Sequence, residues 1–185
     1  NPKHLWHSFY FLDTFEARKA RSDKFKIITL VRDPVAQHIS SFFEILYLEL
    51  DYHYTEKLKI KSIDEVVDEL ILLFVNEFSQ QSDPEDWFEQ ELKEVFDIDI
   101  YNEPFLYDNG YQIYRAPRAD ALLIRLEDLN DCATEAIGKF FGVQDFSLIN
   151  RNVGASKDYS ILYKTFLKRV ILPEAYLEDQ YNIRH

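Results

Sequence analysis

The pattern of apolar and polar residues divides the chain into two buried-strand patterns and a series of amphipathic helices. The runs IITLV (27–31) and ALLIRL (121–126) are almost continuously apolar, as are strands covered on both faces of a parallel sheet. Looser alternation predicts an irregular or edge strand at 96–105, which contains Pro104, and a short strand at 111–115. Apolar residues recur every three or four positions in the segments predicted to be helical, which are 34–50, 62–78, 85–96, 131–141, 159–170 and 173–181.

The corner between the first strand and its helix holds the residues most suggestive of a binding site. Arg32 ends the strand, where open α/β sheets bind ligands, and Asp33 and Pro34 suit the cap and first turn of a helix. A helix from Pro34 places Ser40 about 9 Å further along its axis. An arginine fork and a hydroxyl arranged in this way can hold a phosphate. Pairing of Arg32 with a surface carboxylate, and an ordinary helical role for Ser40, explain the same spacing equally well.

Two helices with aromatic stripes follow this corner. Residues 62–65 (SIDE) form a capping-box pattern ahead of the helical repeat, and Ser82 begins a second helix that continues to Phe96. Such stripes are typical of core packing. Because carbohydrates also pack on aromatic faces, the helices between 62 and 96 are equally candidates for lining a sugar site.

Composition limits the possible functions. A chain of 185 residues fits a single domain over 1–185, with 51–105 as a possible helical insertion. The net charge of −12 argues against nucleic-acid binding. Cys132 is the only cysteine, which fits a reducing, cytoplasmic setting. The longest apolar run, 70–75, is too short to span a bilayer. The five histidines are scattered, so no metal site is expected, and the oligomeric state stays open.

Two further segments carry candidate chemistry. The polar loop 150–157 places Arg151 and Lys157 ahead of a helix, where free N–H groups attract anions, although a plain linker fits it as well. His4 and His7 near the chain start are either general-base candidates or polar surface residues.

Taken in order, these segments resemble the sulfotransferase family, whose donor is 3′-phosphoadenosine 5′-phosphosulfate (PAPS). Residues 26–43 are similar to the family's 3′-phosphate-binding motif, in which an Arg and a Ser eight positions later hold the phosphate, as Arg32 and Ser40 are spaced here. Residues 122–129 resemble the recurring strand that ends in Glu-Asp-Leu, and the 150–157 loop stands where a late loop closes over the nucleotide. The Arg-Asp-Pro-Val sequence and the Phe-Phe helix end resemble bacterial capsular polysaccharide synthesis proteins more closely.

The resemblance implies a three-layer, helix-rich α/β fold with a central, mostly parallel sheet, of the sulfotransferase and P-loop NTPase type. It implies transfer of a sulfuryl group from PAPS to a hydroxyl of a carbohydrate or related acceptor in surface polysaccharide synthesis, without a metal. Arg32, Ser40, Arg151 and Lys157 are then expected to bind PAPS, or its product 3′-phosphoadenosine 5′-phosphate (PAP). His7, or else His4, is expected to act as the base.

The sequence also departs from the family pattern. No glycine-rich segment precedes Lys26, so the loop that binds the 5′-phosphosulfate has no counterpart, and we expect an N-terminally truncated chain that is inactive alone. Leu126 replaces a common Tyr, and KHLWH (3–7) matches the family's Lys-x-His-Leu-Pro poorly. The alternatives are a non-catalytic scaffold in polysaccharide assembly and a P-loop-type nucleotide-dependent kinase.

Overall fold

A three-stranded sheet and a group of aromatic-rich helices form the centres of two units of the chain. The computed structural model describes residues 24–48, 54–80, 88–149 and 159–182. Unit 1 combines Asn1–Val31 with Asp86–Ser147, and unit 2 combines Arg32–Glu85 with Leu148–His185. The predicted insertion, 51–105, therefore includes residues of both units.

The sheet of unit 1 has the order β1-β3-β2, with β1 at Phe25–Val31, β2 at Tyr111–Arg115 and β3 at Ala119–Arg125. β1 runs parallel to β3, and β2 runs antiparallel to it. β3 is the central strand, so its residues are buried almost throughout, as predicted. The described sheet is thus mixed, and the three-layer, mostly parallel fold stays a prediction.

β1 contradicts the expectation of burial on both faces. Its residues alternate between half-buried and exposed, and Ile28 and Leu30 are 45% and 50% exposed. Ile27 on the opposite face packs against the cluster beneath the sheet. This period-2 pattern means that the face of β1 that carries Ile28 and Leu30 is largely uncovered. Among the described strands β1 pairs only with β3, so it is also an edge strand.

Helical segments pack against both faces of the central strand, β3. Helix α5 (Leu129–Phe141) packs Cys132, Ala136 and Phe140 against one face, and Gly142 ends it at φ 72°, as predicted for a C′ position. Leu92 and Phe96 pack beneath the other face. They come from a π-helical turn, Phe88–Lys93, and the short α4, Glu94–Phe96.

The predicted strand at 96–105 is wrong. Asp97 turns the chain in the left-handed region at φ 61°, and the Asp99 carboxylate accepts a hydrogen bond from the Tyr101 N–H at 3.1 Å. This cap starts a 3₁₀ turn, Ile100–Asn102, because an Asp side chain that bonds its neighbouring backbone competes with a sheet ladder.

A buried carboxylate marks the amino end of the parallel strand pair. Asp120 is 3% exposed, and Lys24 Nζ lies 2.5 Å from its Oδ1. Lys26 Nζ and Arg115 Nη1 both donate to its Oδ2 at 2.8 Å. Burial acts to raise the pKa of Asp120, but the bonds from Lys24 and Lys26 outweigh it, so this pKa lies below its usual value.

Unit 2 is helical in its described residues. Its helices are α1 (Pro34–Leu48), α2 (Tyr54–Lys57), α3 (Ile63–Asn76), α6 (Ser160–Arg169) and α7 (Glu174–Asn182). The predicted capping box is confirmed, since Ser62 caps Glu65 N and the Glu65 carboxylate accepts from Ser62 N. An aromatic core joins α1, α3 and α6 through almost completely buried rings, which are Phe42, Phe43, Phe74 and Phe166.

Candidate functional site

The start of α1 is fixed by Asp33, as the sequence predicted. Asp33 Oδ1 accepts a hydrogen bond from Ala36 N at 2.8 Å, and its carbonyl accepts from Gln37 N at 2.8 Å. Its Oδ2 accepts from the Tyr181 hydroxyl of α7 at 2.8 Å, and this bond is the main cause of the raised pKa of Tyr181. Asp33 therefore caps the start of α1 and also joins it to α7.

Arg32 directly precedes the Asp33 cap, and Ser40 lies about two turns into α1; both belong to unit 2 and are half-buried. Neither the Arg32 guanidinium nor the Ser40 hydroxyl has a hydrogen-bond or ion-pair partner among the described residues, so the alternative reading of Arg32 as half of a surface ion pair finds no partner there. A half-buried guanidinium offers five N–H donors to an anion, and the hydroxyl offers one more. The two predicted phosphate-binding residues thus belong to one short segment, 32–40, in which no described residue bonds their polar groups.

His38 is a residue of this helix that sequence reasoning did not single out. It is 3% exposed, and its Nδ1 lies 3.0 Å from the Tyr176 hydroxyl. The rings of Phe74 and Phe78 pack against it, with centroid distances of 5.6 and 4.9 Å. His38 lies four positions before Phe42, which is also buried, and this apolar-face spacing was the available signal. Together with Asp33, it gives α7 a second hydrogen bond to α1.

The Glu-Asp-Leu motif follows β3 in unit 1. Glu127 is exposed, whereas Asp128 accepts a 2.5 Å hydrogen bond from Arg125 Nε, which keeps the pKa of Arg125 raised. The guanidinium also lies 5.7 Å from the centroid of the Tyr107 ring. The three-residue separation of Arg125 and Asp128 was a sequence signal for this pair.

The remaining predicted site residues lie outside the described residues. They are His4, His7, Arg151 and Lys157. Within the described ranges, no group of three or more acidic, histidine or cysteine side chains could hold a metal ion. None of the helices described is long and apolar enough to cross a membrane.

Comparison with known proteins identifies a family. Residues 57–180 match the sequence model of a family described as "Putative capsular polysaccharide synthesis protein". No curated protein and no solved structure matches the chain. The matched region includes α3, the whole of β2 and β3, and most of α7, while Arg32 and Ser40 precede it. Because the match extends over about two thirds of the sequence, the chain belongs to this family of capsular polysaccharide synthesis proteins.

Proposed function

We propose that this protein is a sulfotransferase-like enzyme that transfers a sulfuryl group from PAPS to a hydroxyl of a carbohydrate or related acceptor in capsular polysaccharide synthesis. The observation that supports the proposal is that half-buried Arg32 directly precedes the Asp33 cap of α1, and half-buried Ser40 lies about two turns further along the same helix. Family membership supports the polysaccharide context.

Arg32 and Ser40 are suited to the 3′-phosphate of the donor. The guanidinium fork matches two phosphate oxygens, and the hydroxyl can donate to one of them. The Asp33 carboxylate, next to Arg32 in the sequence, would repel a phosphate if it were unpaired. Its two oxygens instead accept from Ala36 N and the Tyr181 hydroxyl, which disperses that negative charge.

In the proposed reaction, a base removes the acceptor hydroxyl proton while the oxygen forms a bond to sulfur. The bond between sulfur and the 5′-phosphate oxygen breaks, and PAP leaves with that electron pair. We assign the base to His7 or His4 and further phosphate contacts to Arg151 and Lys157. Arg32 and Ser40 fix the position of the nucleotide and do not take part in proton transfer.

Calorimetric titration of the full-length protein compares PAP with adenosine 5′-monophosphate, which lacks the 3′-phosphate. We expect PAP to bind more tightly. Arg32→Ala should weaken PAP binding about 10–150-fold, as expected for loss of a charge-assisted bond. The Arg32→Ala variant should also remove most of the preference for PAP. Ser40→Ala should have a smaller effect in the same direction.

Lys59→Ala is the matched control, because Lys59 is a cation of unit 2 that is 66% exposed and paired with Glu56. This variant should leave PAP binding unchanged. Equal binding of PAP by wild type and Arg32→Ala would refute the proposal. Binding of Mg²⁺-ATP in place of PAP would favour the kinase alternative, and binding of neither nucleotide would favour a scaffold.

A further inference from the structure

The loop of residues 101–109 in unit 1 exposes aromatic side chains beside hydrogen-bonding ones. Tyr107 is 68% exposed, which is the largest exposure among the described aromatic residues, and Tyr101 is 38% exposed. Each tyrosine is followed directly by exposed polar residues, which are Asn102 and Glu103 after Tyr101 and Asp108 and Asn109 after Tyr107. By contrast, the aromatic residue Phe74 of α3 is fully buried in the core and is not open to a ligand.

Hydrogen bonds tie the 101–109 loop to Gln112 of β2 and to Gly110. The buried Gln112 accepts from Leu106 N at 3.0 Å through Oε1, and its Nε2 donates to Glu103 at 3.4 Å. Gly110 N donates to the Tyr107 carbonyl at 3.1 Å. A ligand meeting this loop therefore encounters a prearranged surface and loses less entropy on binding.

Tyr107 itself is supported from two sides. The Arg125 guanidinium lies 5.7 Å from its ring centroid, and the Phe105 ring packs edge-on at 5.3 Å. Arg125 is in turn held by Asp128. The ring is thus fixed and still largely open to solvent.

The loop also lies at the edge of the sheet where ligands bind in α/β proteins. It leads into β2 at Gly110, whose carbonyl accepts from Arg125 N at 2.8 Å. Arg125 is the last residue of β3, so this is the carboxyl end of the parallel pair β1 and β3.

Charge narrows the class of ligand. Acidic residues outnumber Arg125 in the loop and directly after β3: Glu103 and Asp108 lie in the loop, and Glu127 and Asp128 follow β3. Such surroundings disfavour polyanions. A sugar ring matches the set: its C–H face stacks on an aromatic ring, and its hydroxyls donate to carboxylates and amides.

We propose that the 101–109 loop binds a glycan of neutral or amino sugars, with one sugar ring stacked on Tyr107 and its hydroxyls bonded by Asp108 and Asn109. The role of this glycan as the sulfuryl acceptor rests on the proposed function, whereas the binding of the glycan to the loop does not.

The test is an NMR titration of the ¹⁵N-labelled full chain with cellotetraose and with chitotetraose. We expect shifts concentrated in residues 101–109 and at Arg125 for at least one oligosaccharide. Tyr107→Ala should raise the dissociation constant at least about 10-fold. Tyr107→Phe keeps the ring and should bind within about 3-fold of wild type.

Phe141→Ala is the matched control, because Phe141 is a 48% exposed aromatic residue of unit 1 at the far end of α5, outside the loop. It should bind as wild type does. Absence of shifts in the 101–109 loop with both oligosaccharides, or wild-type affinity in Tyr107→Ala, would overturn the proposal. Titration of the same samples with PAP separates the two proposals. Glycan binding without PAP binding would support the glycan site at 101–109 and would refute the sulfotransferase function.

Discussion

Asp120→Asn tests whether the buried carboxylate of unit 1 stabilises the sheet through its charge. The substitution keeps the size of the side chain and removes its charge beside Lys24, Lys26 and Arg115. These cations are 41%, 36% and 59% exposed, so solvent screens them, and each pair contributes about 0.2–1 kcal/mol. We therefore expect Asp120→Asn to lower the free energy of unfolding by about 1–3 kcal/mol at pH 7.

The pH dependence follows from the lowered pKa of Asp120. A carboxyl whose pKa is lower in the folded than in the unfolded protein stabilises the fold fully above its unfolded value, about 3.9 for Asp. This contribution is lost as the pH falls through the folded pKa, because the protonated carboxyl then resembles Asn. The difference between wild type and Asp120→Asn should accordingly be largest at neutral pH and shrink progressively below pH of about 4.

Urea unfolding followed by far-ultraviolet circular dichroism measures this difference, since urea, unlike guanidinium, does not screen charge. Hydrogen exchange of the β3 amides assigns the effect to unit 1. Glu56→Gln is the control, because Glu56 is 63% exposed in its pair with Lys59, and a much smaller change is expected. Equal stability of wild type and Asp120→Asn at pH 7, or a difference that persists unchanged to pH 2, would refute the reasoning.

Three further substitutions test packing, capping and backbone conformation. Phe74→Ala should destabilise unit 2 by about 3–5 kcal/mol in urea unfolding, because a fully buried ring leaves a cavity. Ser62→Ala should cost about 1 kcal/mol through loss of the cap of α3, and Ser62→Thr, which can still cap, should cost less. Gly110→Ala and Gly142→Ala both place a side chain at positive φ. A Cβ at position 110 would lie 2.5 Å from Asp128 Cβ, whereas a Cβ at position 142 would have no neighbour within 4 Å. Gly110→Ala should therefore lower the melting temperature more than Gly142→Ala.

Each of these expectations has a clear contrary result. A loss below about 1 kcal/mol for Phe74→Ala would mean that the aromatic core of unit 2 is not packed as described. Equal stability of Ser62→Ala and wild type would exclude a stabilising cap. Equal melting temperatures of the two glycine variants would mean that Asp128 does not lie against Gly110.

Local rules were sufficient to predict many helix ends from the sequence. The capping box at Ser62 and the glycine at position 142 depend on nearby residues, and the structure confirms both. The prediction for β1 is wrong because an apolar run does not reveal whether other elements cover both faces of a strand. The segment 96–105 was misread because Asp97 and Asp99 favour turns that compete with its alternating pattern.

In the candidate site too, features set by neighbouring residues were predictable, whereas contacts between different elements were not. The positions of Arg32 before a capped helix and Ser40 within it follow from residues close in sequence. Neither the contact of His38 with α7 nor the placement of Arg125 against Tyr107 is predictable from local sequence, because each joins residues from different elements. Such contacts are set by tertiary packing.

The hydrogen bond between Asp33 and Tyr181 has a consequence for biosynthesis. Its partners are 148 residues apart in the chain. At a translation rate of about 5–20 residues per second, Asp33 leaves the ribosome roughly 7–30 s before Tyr181 is made. During that interval α1 lacks both of its bonds to α7, and its apolar face has no complete partner within unit 2. The contacts of Asp33 and α1 with α7 thus form only after α7 has been synthesised and has docked.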